Sequence, residues 1–303
     1  LDAQELTEQA LILAQANRAA DIAYQWQWQL GRISQVNGDR SSAILAYSQA
    51  VETLQAIRGD LVAISSDAQF SFRERVEPVY REFVSLLMQP GVEVTQADLS
   101  TARKTIEALQ LAELDNFFRD TCLDAKPAQI DAIDPKAAII YPIILTDRLE
   151  VIAALPGKPL RHYTTQLTKA EIEATISDAI KGLTSPRLRG DLNNFLTPAK
   201  AAYNWLIRPI EADLAQSEVE TLVFVLDGLL RRLPMGALSD GNKYLIQKYA
   251  VALTPGLQLL DTQSIASEDF QVFAGGLSEA RQGFSALPGV ISELTQIEAT
   301  VPA

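Results

Sequence analysis

Apolar positions across residues 1–125 recur at helical spacing, and no continuous or alternating apolar run among them reads as a strand. The pattern predicts helices over 2–19, 21–36, 40–58, 67–88 and 96–123. Asn37-Gly38-Asp39 separates the second from the third, and Gln89-Pro90-Gly91 ends the fourth. Thr95, ahead of Gln96 and Asp98, offers an N-cap for the fifth. Pro78 falls inside the fourth helix, where a residue with no N–H to donate predicts a kink.

The pattern changes at Lys126-Pro127, and the segment to Asp134-Pro135 reads as a loop. Ala137–Leu145 is a β-rich run of Ile, Tyr and Leu; Thr146-Asp147 turns it into a second run, Arg148–Leu155, and the two read as a hairpin. Leu160–Leu167 alternates like a third strand. Helical periodicity returns at 168–182 and 190–216. Thr221–Leu226 is short and continuously apolar, as suits a parallel strand covered on both faces. Tyr244–Leu253 and Phe270–Ala274 read as further strands, with helices near 256–264 and 288–300. Strands alternating with helices predict an α/β layer, so the expected fold class is α + α/β, with a helical domain over 1–125 and a sheet domain over 126–303.

Within the helical part, residues 24–57 fit one tetratricopeptide (TPR) unit: Leu30-Gly31, then Gly38, Ala43, Tyr47 and Ala50. Gly31 and Ala43 are small where two antiparallel helices cross closely, and Tyr47 and Trp28 are able to fill the groove between neighbouring pairs. The repeat's usual Trp position holds Gln27 and its terminal Pro position holds Gln55. The flanking helices 2–19 and 67–88 are expected to stack on this unit, with further repeats upstream. A plain helical bundle is the alternative. Either way the helices are expected to pack or to bind a protein partner.

Composition narrows the functional classes. The 303 residues carry a net charge of −12, which repels phosphate backbones and anionic lipid, so neither nucleic acid nor membrane is an expected partner. A single cysteine, Cys122, excludes an internal disulfide and a cysteine-rich zinc site, and fits a reducing, cytoplasmic setting. No apolar run approaches the roughly 20 residues of a membrane-spanning helix. The chain begins at Leu1, and the natural N-terminus is expected to lie upstream.

From Phe70 onward the chain resembles the cyanobacterial TPR–CHAT proteins. The resemblance is carried first by Phe72-Arg73-Glu74-Arg75-Val76-Glu77-Pro78-Val79-Tyr80-Arg81, by Ala112-Glu113-Leu114-Asp115-Asn116-Phe117-Phe118-Arg119 running to Cys122, and by Ile140-Tyr141-Pro142-Ile143-Ile144-Leu145 with Asp147-Arg148-Leu149-Glu150. Its most specific stretch is Leu222-Val223-Phe224-Val225-Leu226-Asp227-Gly228 continuing through Leu230-Arg231-Arg232-Leu233-Pro234-Met235-Gly236-Ala237-Leu238. Asp240-Gly241, Tyr244-Leu245-Ile246, Thr254-Pro255-Gly256-Leu257, Ala274-Gly275-Gly276-Leu277-Ser278 and Leu287-Pro288-Gly289-Val290 with Glu293-Leu294 follow in order. The resemblance implies a caspase-like sheet and, in a complete protein, a His that assists a Cys thiolate in attacking a peptide carbonyl. It also implies that both residues lie downstream of the helix at 288–300. The chain ends at Ala303 and contains neither motif, so no catalytic, cofactor-binding or metal residue is assigned, no cofactor is expected, and this chain alone is expected to be inactive.

The remaining chemistry-bearing residues have modest readings. Cys122, at i+4 from Phe118 and i+8 from Leu114, reads as a small core residue. His162 reads as a surface or half-buried strand residue, and neither fits the family's catalytic motifs. Gly275-Gly276 lacks phosphate-loop spacing and reads as a tight exit from a strand. Asp227-Gly228 reads as turn chemistry at a strand exit, though Asp227 stands at a carboxyl edge, where it has a chance to line a substrate cleft. Arg231-Arg232 reads as a salt-bridging pair.

Two functional hypotheses stay open. One is part of a caspase-like cysteine endopeptidase with a TPR protein-binding region and a protein or peptide substrate. The other is a non-enzymatic TPR–CHAT interaction scaffold. Under the first, the strands at 221–226 and 270–274 are expected to neighbour the His- and Cys-bearing strands and to leave an exposed sheet edge and apolar patch that promote self-association.

Overall fold

The computed structural model describes residues 2–58, 72–118, 134–188, 190–254 and 274–300. The chain falls into two compact units, Leu1–Asp261 and Thr262–Ala303. In the first, helices α1 (Ala3–Ala16), α2 (Ala20–Val36) and α3 (Arg40–Ala56) run in sequence, with Asp2 and Asp39 capping α1 and α3 through their carboxylates. Gly31 on α2 sits where the expected crossing needs it: a Cβ there would stand 2.7 Å from Cδ2 of Tyr47 on α3.

The fourth predicted helix has two parts among the described residues. Phe72–Val76 form a π-helical turn and α4 runs from Glu77 to Leu87, so Pro78 occupies its first turn. A first-turn N–H has no intrahelical partner to lose, and proline is accepted there. Residues 67–71 of that prediction lie outside the described residues. Helix α5 spans Gln96–Phe118, entered through reciprocal hydrogen bonds between Thr95 and Asp98.

The predicted hairpin is β1 (Ala137–Ile144) with β2 (Leu149–Ala154), antiparallel in the register Ile143 opposite Glu150 and Tyr141 opposite Ile152. β3 (Arg161–Thr165) continues the antiparallel pairing on β2. α6 (Lys169–Thr184) opens with a Thr168/Glu171 capping box. The single helix expected over 190–216 is instead α7 (Asn193–Leu206) and α8 (Glu211–Gln216), separated by a 3-10 turn at Arg208–Ile210. Pro209 causes the break, because its ring and missing N–H do not extend an α-helix.

β4 (Thr221–Phe224) then runs parallel to β1, and β5 (Ala250–Leu253) runs parallel to β4, giving a mixed five-stranded sheet of order β3-β2-β1-β4-β5. The strand expected over Tyr244–Leu253 is thus shorter than predicted. Its first half is a 3-10 turn, Leu245–Gln247, which buries Leu245 completely before the chain joins the sheet. β4 is an interior strand, flanked by β1 and β5, and does not carry the free edge expected of it; β5 is the outermost strand on that side among the described residues. The expected strand at 270–274 and helix at 256–264 fall on or across residues outside the described set.

The protein is therefore α + α/β: helices first, then a sheet covered on both faces. All eight residues of β1 are buried. Ile139, Tyr141 and Ile143 face α3, α4 and α5 in one core, while Ala138, Ile140 and Ile144 join α6, α7 and α8 in the other. Two-sided burial is why β1 reads as a continuous apolar run and not as an alternation. The unit Thr262–Ala303 contains α9 (Gly289–Thr300). Gly276 lies so close to α9 that a Cβ would stand 2.4 Å from Cγ1 of Val290, so the glycine is accounted for by helix packing with no need of a phosphate ligand.

Candidate functional site

The sheet changes direction of winding between β1 and β4: β1 leads by a hairpin to β2 on one side, and β4 leads to β5 on the other. The carboxyl ends of two parallel strands at such a reversal form the crevice where open sheets bind ligands. Here the position is filled from within the chain. Asp227, which follows β4 and is 1 % exposed, receives a two-pronged pair of hydrogen bonds from Arg81 of α4: Nη1 to Oδ2 at 2.7 Å and Nη2 to Oδ1 at 2.9 Å. Oδ2 also accepts from the Ile144 N–H at 2.9 Å, and Arg81 Nη1 donates to the Ile144 carbonyl at 3.0 Å. Arg81 is further held by Glu77, one turn earlier on the same helix.

Burial by itself raises the Asp227 pKa, but the Arg81 guanidinium and the Ile144 N–H outweigh it and hold the carboxyl below its ordinary value. The group stays ionised, with both oxygens engaged. It has neither a proton to give nor a free lone pair suited to general-base work, so its role is to fix α4 to the ends of β1 and β4. The sequence reading placed Asp227 in turn chemistry or in the wall of a cleft; the structure buries it as half of an ion pair.

A second pair lies beside the first. Arg231 donates to Glu113 of α5 at 2.6 Å and, through Nε, to the Leu226 carbonyl at 3.0 Å. Gln110 of α5 donates to the same carbonyl at 3.1 Å. Glu113 is pushed above its ordinary pKa by burial, against the opposing pull of Arg231. Arg231 is thus a salt-bridging residue, and Arg232 is exposed beside it. Arg81, Gln110 and Glu113 were not singled out from sequence. The one local signal was the Glu77/Arg81 spacing of four, which places an ion pair on one helix face but says nothing of a partner 146 residues away.

The only histidine in the chain lies elsewhere, on the opposite side of the sheet order. His162 on β3 is half-buried, with Nε2 2.7 Å from Oε2 of Glu150. That oxygen also accepts from the Thr164 hydroxyl at 2.7 Å, while the other is held by Arg148 Nε. Arg148 continues to the Ser85 and Met88 carbonyls at the end of α4. Glu150 is fully buried, with Arg148, His162 and Thr164 all bonded to its carboxylate, so this network ties β2 and β3 to α4. Cys122 lies outside the described residues. Among the described residues no cluster of His, Cys, Asp and Glu is arranged to hold a metal ion, and no helix is long and apolar enough to cross a membrane.

Fold and site together define an α + α/β protein whose helical layer is bolted to the carboxyl ends of its parallel strands by buried ion pairs. Residues 196–303, from α7 through β4, β5 and α9, match the family model of the CHAT domain. A comparison with curated proteins finds no match.

Proposed function

We propose that this chain supplies the partner-binding helices and the leading half of the sheet of a caspase-like cysteine endopeptidase, with the His–Cys pair contributed by residues it does not contain. The observation that carries this reading is the Arg81–Asp227 pair. It joins the helical layer directly to β4, inside the CHAT-matching segment, so that strain from a partner held by the helices reaches the strand ends where such enzymes react. The helices α1–α3 are read as TPR-like and as the surface for a protein partner, and the substrate of the complete enzyme as a protein or peptide.

The test compares purified 1–303 with the longer gene product on a fluorogenic peptide library, with and without a thiol alkylator. The expected outcome is no turnover by 1–303 and thiol-dependent turnover by the longer protein. Turnover by 1–303 that Cys122→Ala abolishes overturns the reading, and a longer protein with no thiol-dependent turnover favours the non-enzymatic scaffold.

A further inference from the structure

We draw no further inference here: the strongest candidate, the exposed apolar surface patch of Leu6, Ile12 and Leu13 on α1, has nothing in the structure to show what covers it.

Discussion

Arg81 and Glu82 are neighbours on α4 with opposite charges, opposite orientations and unlike surroundings. Arg81 turns toward the sheet, where Asp227 receives it away from water. Glu82 turns toward the first helices, where Trp28 Nε1 at 2.7 Å, the Tyr47 hydroxyl at 2.9 Å and a forked contact from Arg32 converge on its carboxylate. That second cluster is wetter: the Arg32 side chain is 43 % exposed and that of Glu82 35 %, against 2 % for Asp227. One turn of helix therefore links both layers, by a buried bolt on one side and a solvent-screened clamp on the other. Coulomb attraction between exposed charges is largely offset by hydration, whereas a buried charge stripped of its partner has nothing to replace it. The two junctions should accordingly fail very differently.

The bolt gives the largest expected effect. Arg81→Leu leaves the Asp227 carboxylate buried without its counter-ion and is expected to cost about 3–5 kcal/mol in urea unfolding. A double variant, Arg81→Leu with Asp227→Leu, should recover most of that loss, because it removes the stranded charge along with the pair. The pH dependence carries a sign. In the parent, the depressed Asp227 pKa gives stability that is present above the unfolded carboxyl value near 3.9 and lost as pH falls through the folded one. Without Arg81 the raising effect of burial is opposed only by the Ile144 N–H and Arg231, so the deficit of Arg81→Leu should shrink as the pH is lowered from 7 into the carboxylate range and the stranded group takes up a proton. A deficit that is constant over that range would show that the loss comes from packing and not from the charge.

Next in size is the crossing of α2 and α3, which supports the clamp from behind. Gly31→Leu has to displace the Tyr47 ring, 2.7 Å from where the new Cβ would sit, and Tyr47 is both stacked on Phe83 and bonded to Glu82. The expected cost is about 1–3 kcal/mol, read as a lower melting temperature. An unchanged melting temperature would mean that the crossing opens without strain.

The clamp itself is expected to be weak. Glu82→Gln keeps an acceptor for Trp28 and Tyr47 but discharges the contact with Arg32, and at this exposure the loss should stay below about 1 kcal/mol. Although burial opposes it, the hydrogen bonds from Arg32, Trp28 and Tyr47 hold the Glu82 pKa below its ordinary value. The stability it adds is thus present at neutral pH and fades as the solution is acidified through the folded pKa. A loss as large as that of Arg81→Leu would erase the contrast between the two junctions.

What was legible in the sequence follows the same division between local and distant causes. The hairpin β1–β2 could be read because its apolar run and its Thr146-Asp147 turn are contiguous, and α6 because Thr168 and Glu171 stand at capping distance. Local chemistry misled where a partner far along the chain decides the outcome. Tyr244–Leu253 reads as one strand, yet Leu245 turns into the core and Lys248 is drawn to Glu211 and Asp240, leaving only Ala250–Leu253 for the sheet. Asp227 reads as a turn residue because Gly228 follows it, and its partner on α4 belongs to another part of the sequence altogether. Pro78 reads as an interior residue because the periodicity runs on before it, whereas the α-helix begins at Glu77, directly after a π-helical turn.

The smallest effect is expected at the surface, where the contrast between buried and exposed charge reaches its limit. Lys136, just before β1, pairs with Glu220, just before β4, beside the first parallel ladder. The side chains are 53 % and 66 % exposed, so water competes for both ends of the contact. The backbone already secures this junction without them, since the Lys136 carbonyl accepts from the Glu220 N–H at 3.0 Å. Lys136→Ala keeps that bond, and its melting temperature should be indistinguishable from the parent's at 0.15 M salt, where exposed charges are screened over about 8 Å. A clear loss at that salt concentration, removed by Glu220→Ala in the same chain, would show that an exposed pair beside parallel strands stabilises as a buried one does. The difference between the Arg81 and Glu82 junctions would then need a cause other than burial.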